Sequence, residues 1–254
     1  MTKDDRIQGR KRGDRRGVAA FEIDLRFQWF VRTLVALPSE PLRAILHGRN
    51  SAGLPCRHDR LYVRPASIER RVSYRAVRVG RIGGVLGRVI IPGDWDLSAR
   101  SLGGGRKRLA LIGLAQGLGP FASDYVAWME RQVAKSGHNH GCRTREDIER
   151  RAAKLEAMIE ELRSTQRLRE RREFLPWTFR ERDGIQVAVG RDGEVLHASE
   201  GDHRLTFCQT LDLDAIPVSV IAVHPEALRN GAWARLVTES RSLAHRVQED
   251  AGRR

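Results

Sequence analysis

The residues best suited to chemistry are the run Glu200-Gly201-Asp202-His203-Arg204, which separates a predicted strand from a predicted short helix. A strand, a glycine turn and a helix start bring backbone amides and the positive end of the helix dipole onto an anion. Arg204 can bind a phosphate with its planar fork, and Glu200 can act as an acid or base or help to hold a metal. We therefore predict a phosphate-binding turn at Gly201 and Arg204. Glu200 is its predicted catalytic residue.

A second pair of carboxylates lies in Gly93-Asp94-Trp95-Asp96, at the end of another predicted strand. Side chains two positions apart in an extended chain point the same way, so Asp94 and Asp96 can serve together as a metal site or a general base. We predict that they assist Glu200 as catalytic residues. The alternative is that the pair caps a following element, which is the commoner use of such carboxylates.

The loop at residues 136–142 carries His138, His140 and Cys142 at alternate positions. Their donor atoms suit zinc, but no fourth ligand stands nearby in the sequence, so we predict no bound metal there. The three cysteines of the chain, Cys56, Cys142 and Cys208, are far apart and odd in number, which predicts reduced thiols rather than a disulfide framework.

Alternating apolar residues predict the elements that position the Glu200 run. Residues 185–189 have the period of a strand, Asp192-Gly193 is typical of a hairpin turn, and residues 194–198 form the return strand. A short helix with Leu205, Cys208 and Leu211 on its buried face follows, then a strand at 216–223. A last amphipathic helix begins after Pro225 and carries Trp233, Leu236, Val237, Leu243 and Val247 on one side.

Three stretches carry a family resemblance: Val189-Gly190-Arg191-Asp192-Gly193-Glu194-Val195-Leu196, then Glu200-Gly201-Asp202-His203-Arg204-Leu205, then Leu211-Asp212-Leu213-Asp214-Ala215-Ile216-Pro217-Val218. Together they resemble the ParB/sulfiredoxin superfamily, in which an acidic-Gly-x-His-Arg box is followed by a short helix and an Ile-Pro-Val strand. The combination of Gly-Asp-Trp-Asp with Gly-Asp-His-Arg is similar to uncharacterised prokaryotic members of that superfamily.

The resemblance implies a ββαβ domain that holds nucleotide phosphate at Gly201, His203 and Arg204, with Mg²⁺ accompanying the nucleotide. Members hydrolyse CTP on DNA-partitioning proteins, phosphorylate free serine or reduce oxidised cysteine. Reduction needs a cysteine beside the turn, and none stands between Gly201 and Arg204. Asp202 departs from the family pattern, and its carboxylate would repel phosphate.

The whole chain is predicted to have an α+β fold in four parts. Residues 1–17 form a disordered basic tail, and residues 18–142 form an N-terminal α+β region with short strands between Leu61 and Ile91. In that region, residues 103–108 are predicted to be a flexible basic loop. Residues 143–173 form a long amphipathic helix capped by Thr144 and Asp147, and residues 174–254 form the ParB/sulfiredoxin-like domain with its C-terminal helix.

The chain of 254 residues carries a formal net charge of +14, which favours association with polyanions. The sequence predicts no membrane span and no signal peptide, hence a cytoplasmic protein. Our function hypothesis is a nucleotide- or phosphate-binding protein that performs phosphoryl transfer or nucleotide hydrolysis, with enzyme activity left open. One alternative is a non-catalytic nucleic-acid-binding protein that uses the basic tail and the arginine face of residues 143–172. The other is an interaction protein with a degenerate site, favoured by Asp202.

Overall fold

The structure is a computed structural model that describes residues 60–77, 89–169, 184–198 and 200–253. These residues have the predicted α+β fold. The strands are β1 (Arg60–Val63), β2 (Arg70–Arg71), β3 (Arg100–Ser101), β4 (Ile185–Val189), β5 (Val195–His197) and β6 (Ile216–Val223), with a 3-10 turn at Pro65–Ser67. The helices are α1 (Arg106–Ala115), α2 (Gly119–Ala122), α3 (Tyr125–Ser136), α4 (Arg145–Thr165), α5 (Asp202–Thr210), α6 (Pro225–Arg229) and α7 (Ala232–Arg253).

The six strands form one mixed sheet in the order β1-β6-β4-β5-β2-β3. β4 runs parallel to β6 and antiparallel to β5, which confirms the predicted hairpin and the strand that follows α5. β1 pairs antiparallel with β6, and β2 runs parallel to β5 while pairing antiparallel with β3. The sheet therefore joins strands from both sides of the predicted boundary between residues 142 and 143.

Strand β4 is buried along its whole length, because both faces of the sheet are covered. Ile185, Val187 and Val189 pack into the larger core with the helices. Ala188 points to the opposite face, where Val72 and Trp95 are among its neighbours in a smaller core. The hairpin turns at Asp192-Gly193, where Gly193 has a φ of 86°. This alternation is the period-two pattern of the sequence.

Helix α4 begins where the sequence predicts. The Thr144 hydroxyl accepts a hydrogen bond from the Asp147 amide at 3.2 Å, and the Asp147 carboxylate accepts from the Thr144 amide at 3.2 Å. The buried stripe consists of Ile148, Ala152, Leu155, Ile159 and Leu162. The helix ends at Thr165, short of the predicted residue 173, because Gln166 adopts a left-handed conformation with a φ of 50°.

Two local predictions were wrong. Only residues 103–105 of the predicted basic loop lie outside regular structure, because α1 begins at Arg106 and buries Ala110, Leu111 and Leu114. The last helix is divided into α6 and α7 at Asn230-Gly231, where Gly231 has a φ of 74° and the Asn230 side chain accepts a hydrogen bond from the Ala232 amide at 2.9 Å.

Several sequence predictions lie outside the described residues. They are the basic tail at 1–17, the apolar pattern at 18–59, Cys56, the residues 78–88 and the segment 170–183. Among the helices that the structure describes, none is long and apolar enough to cross a membrane.

Candidate anion-binding groove

The turn before α5 is held against the start of β4. The Gln186 amide donates to the Glu200 carbonyl at 3.0 Å, and the Ala198 amide donates to the Gln186 carbonyl at 2.9 Å. Gly201 has a φ of 91°, and a Cβ at this position would lie 2.6 Å from the Cα of Ile185. Backbone conformation and contact both require glycine here. The predicted strand-glycine-helix geometry is therefore present.

A cavity of about 670 Å³ opens at the N-terminus of α5. Three predicted site residues line it, namely Glu200, Gly201 and His203. The remaining lining comes from Arg71, Val72, Ser73, Ser98, Arg100, Lys107, His140, His197, Ala198 and Asp202. Gly201 is the N-cap of α5 and offers no side-chain cap, so the first amides of the helix face this cavity without a capping side chain.

A second cavity of about 520 Å³ adjoins the first, since Arg71, Lys107 and Asp202 line both. It lies at the N-terminus of α1, whose N-cap Gly105 provides no side-chain cap. Its other residues are Ser101, Leu102, Gly103, Arg106, Arg108, Trp128, Arg131 and Gln132. We call the two cavities together the basic groove.

The cations of the basic groove stand in places that ordinarily disfavour them. Arg71 and Arg100 are directly opposite each other in the β2–β3 pair, where like charges destabilise a sheet. Arg106, Lys107 and Arg108 occupy the first turn of α1, which has no acidic residue and whose dipole presents positive charge there. Both arrangements become favourable when an anion lies between the charges.

Most of these cations have no carboxylate partner. Within the described ranges, no carboxylate oxygen lies within 4.0 Å of Arg71, Arg100, Arg106 or Arg131. Arg108 donates to Thr206 at 3.2 Å and to Gln209 at 2.6 Å, and is thereby fixed against α5. The groove therefore keeps positive charge that the carboxylates of the described residues do not neutralise.

Asp202 pairs with Lys107 at the junction of the two cavities. Burial opposes ionisation of this carboxyl group, but the hydrogen bond and the charge of Lys107 outweigh burial, and the pKa of Asp202 is lowered. Asp202 thus neutralises Lys107, one of the cations of the groove, and places negative charge at the start of α5. An anion that bound to Lys107 would compete with this carboxylate.

Three histidines flank the α5 turn. Burial, followed by the charge of Lys107, lowers the pKa of His203 to about 3, so its ring is neutral at pH 7. Its buried Nε2 has no hydrogen-bond partner among the described residues. The His140 ring contacts the His203 ring edge-on with centroids 5.1 Å apart. Nε2 of His197 lies 3.2 Å from the Glu200 carbonyl oxygen, and burial lowers the pKa of His197.

Asp94 and Asp96 are not brought to the α5 turn. They bind Arg191 beyond the other end of β4, a strand of five residues that spans roughly 16 Å. Asp96 accepts hydrogen bonds from the Arg191 amide and Nε, each at 2.9 Å, and Asp94 accepts from Nη2 at 2.7 Å. Burial opposes ionisation of Asp96, yet the Arg191 hydrogen bonds lower its pKa to about 2. The carboxylates hold the hairpin loop.

Arg204 does not line either cavity of the groove. It lies on the first turn of α5, two positions beyond Asp202 and therefore on another side of the helix. Its charge acts on Cys208, one turn later, although burial of that thiol dominates and raises the pKa of Cys208 to about 12. The cations that reach the α5 turn are Arg71, Arg100 and Lys107.

The described residues contain no group of three or more histidine, cysteine, aspartate or glutamate side chains arranged for a metal ion. Cys142 is buried, with Sγ 3.5 Å from the Asp147 carbonyl oxygen. Glu200 is exposed and lines the first cavity. Its carboxylate has no cationic partner among the described residues, so it is the group in the groove that could hold a metal cation.

Sequence reasoning missed most of the groove residues, among them Arg71, Arg100, Lys107, Trp128 and Arg131. For Lys107 the signal was the Gly103-Gly104-Gly105-Arg106-Lys107-Arg108 run, a cluster of three basic residues directly after a glycine stretch. Arg71 and Arg100 are 29 residues apart and meet only through strand pairing. No local pattern could have joined them.

Comparison with known proteins gives no match to a protein-family model, to a curated protein or to a solved structure. The resemblance to the ParB/sulfiredoxin superfamily therefore stays a prediction, and the groove has to be interpreted from its own chemistry.

Proposed function

We propose that this protein binds a phosphorylated ligand, such as a nucleoside polyphosphate, in the basic groove. The observation that carries the proposal is the concentration of positive charge in two unfavourable settings, the opposed Arg71–Arg100 pair and the basic first turn of α1. Among the described residues, Arg71, Arg100 and Arg106 have no carboxylate within 4.0 Å. A phosphate group in the groove would relieve both repulsions and would accept hydrogen bonds from the uncapped backbone amides at the starts of α1 and α5.

The first phosphate would lie at the N-terminus of α5. Gly201 leaves room for close approach of the backbone, and Arg71, Arg100 and Lys107 supply charge-assisted hydrogen bonds. His203 is neutral at pH 7 and can donate one hydrogen bond without adding charge. Arg204 contributes long-range charge rather than direct contact.

Glu200 would be the catalytic residue if the bound ligand reacts. Its exposed carboxylate shares the first cavity with the phosphate-binding cations, where it can hold a Mg²⁺ ion that accompanies a nucleotide or accept a proton from an attacking hydroxyl group. In this proposal Asp94 and Asp96 have no catalytic part, because Arg191 already binds them both.

The arginine face of α4 is a weaker candidate for binding a polyanion. Arg145 pairs with Glu149 at 3.0 Å, Arg150 with Asp147 at 3.1 Å, and Arg163 with Glu160 at 3.0 Å. Each pair neutralises its own cation, so α4 offers less free positive charge than the groove.

The test is a thermal-shift and calorimetry series on the full chain at constant ionic strength, using sodium triphosphate and nucleoside triphosphates with and without Mg²⁺. Ligand at 100 times its dissociation constant should add about 2.7 kcal/mol of stability. Arg100→Gln should weaken binding of the triphosphates. Lys154→Gln, at an exposed position of α4, should leave it unchanged. If no phosphorylated compound stabilises the wild-type protein, the proposal fails and the interaction-protein hypothesis takes its place.

A further inference from the structure

The basic groove does not end at the α5 turn but continues along one face of α3. Trp128, Arg131 and Gln132 are three and four positions apart on this helix and line the second cavity together. They offer an aromatic ring, a guanidinium group and an amide to the same ligand. This combination is not needed for phosphate alone.

A series of rings connects the two cavities. The Trp128 and His140 rings are 6.4 Å apart between centroids, and the His140 and His203 rings are 5.1 Å apart. Trp128 is partly buried and leans on Tyr125 at 6.0 Å, which holds its ring in place. Fixed aromatic rings beside a positively charged path are the surfaces on which unpaired bases stack.

The size of the groove exceeds what one nucleotide needs. Each cavity, at about 670 Å³ and about 520 Å³, is by itself as large as an ordinary small-molecule site, which occupies roughly 300–1,000 Å³. Cations occur in both cavities, with Arg100 in the first and Arg106 and Arg131 in the second. A ligand that satisfies the whole groove carries phosphates at separated points and a ring between them.

We propose that the basic groove holds a short single strand of nucleic acid, with successive phosphates at the α5 and α1 turns and a base stacked on Trp128. The inference rests on the proposed phosphate site and extends it from one nucleotide to a strand. A duplex is disfavoured because its paired bases are not free to stack on Trp128.

The test is fluorescence anisotropy on the full chain with labelled (dT)8, competed at one fixed salt concentration by dTTP, (dT)2, (dT)4, (rU)4 and a duplex of equal length. Affinity should rise at least about ten-fold from dTTP to the tetranucleotides, because each further stacked base and phosphate adds contacts. The ratio of (dT)4 to (rU)4 affinity tells which kind of strand is preferred.

Variants locate the binding. Trp128→Leu should lower the affinity for (dT)4 by roughly ten-fold and leave the affinity for sodium triphosphate unchanged. Phe121→Leu, which removes an exposed aromatic ring on α2 outside the groove, should alter neither. If Trp128→Leu does not fold, Gln132→Ala on the same face provides the same comparison.

The outcomes separate the two proposals. Equal affinity for dTTP and (dT)4, or equal affinity for strand and duplex, overturns the single-strand inference while the phosphate site stands. Absence of binding by triphosphate, dTTP and (dT)8 alike overturns both.

Discussion

The arginine face of α4 and the basic groove are both rich in arginine, yet the protein treats their charges differently. On α4 three arginines pair with acids three or four positions away, as Arg145 does with Glu149 and Arg150 with Asp147. In the groove, Arg71 and Arg100 face each other, with no carboxylate within 4.0 Å among the described residues. Net charge alone therefore does not locate a binding site. In our proposal the unpaired fraction of that charge does.

Arg191 represents a third case, an arginine that is partly buried and paired with carboxylates. Removing its buried partner should have the largest effect on stability. Asp96 is only 5% exposed and binds Arg191 through both carboxylate oxygens. Asp96→Ala should lower the free energy of unfolding by about 3 kcal/mol, measured by urea denaturation, without changing triphosphate affinity. Asp94→Ala is the matched control, because its side chain is 80% exposed and the loss should be small.

The Asp96 pair should also give a defined pH dependence. The folded pKa of about 2 is below the ordinary value of 3.8, so the pair contributes its full stability above about pH 5 and loses it progressively as pH falls toward 2. The stability difference between wild type and Asp96→Asn should shrink over that interval. A catalytic role for Asp96 would instead appear as lost activity in a variant that remains stable.

The groove arginines should show the next largest effect, and with an unusual sign on stability. Arg100→Gln should weaken triphosphate binding by about 2 kcal/mol, the scale of a charge-assisted hydrogen bond. The same substitution should leave the free protein as stable as before or up to about 0.5 kcal/mol more stable, because it removes the repulsion from Arg71. Arg150→Gln on α4 is the control and should change ligand affinity little. Equal losses of triphosphate affinity in Arg100→Gln and Arg150→Gln would show that the groove and the α4 face do not differ in binding.

Thr144→Ala tests α4 as a purely structural element. Loss of the capping hydroxyl should lower the free energy of unfolding by about 1 kcal/mol, as followed by thermal or urea denaturation. Triphosphate affinity, compared at a temperature where both proteins are folded, should not change. A decrease in affinity would show that the start of α4 takes part in binding.

Asp202→Asn should have the opposite effect on binding from Arg100→Gln. Removing this carboxylate frees Lys107 and lifts the negative charge from the α5 turn, so triphosphate should bind about five-fold more tightly, or ~1 kcal/mol. Calorimetry on the variant and on Asp212→Asn, an acid outside the groove, measures the difference. Weaker binding by Asp202→Asn would indicate that the carboxylate itself holds part of the ligand, for example through Mg²⁺.

Local patterns in the sequence predicted the elements that depend on neighbouring residues. The β4–β5 hairpin, the Thr144–Asp147 cap and the glycine turn before α5 are all specified within a few positions. The groove is specified by pairings across the chain. The β2–β3 pair that opposes Arg71 to Arg100 and the Lys107–Asp202 contact join residues 29 and 95 positions apart. Outside the groove, the ion pair of Asp96 with Arg191 also joins residues 95 positions apart. A single sequence carries no short-range signal for them.

The tight contact of Gly201 with Ile185 has a consequence for binding kinetics. Because the turn lies against the backbone of a fully buried central strand, the amides at the start of α5 cannot shift without displacing β4. The proposed anion-binding position is thus built before any ligand arrives, and association would require little backbone reorganisation. Encounter should then be governed by electrostatic steering, so the association rate, more than the dissociation rate, should fall as ionic strength rises.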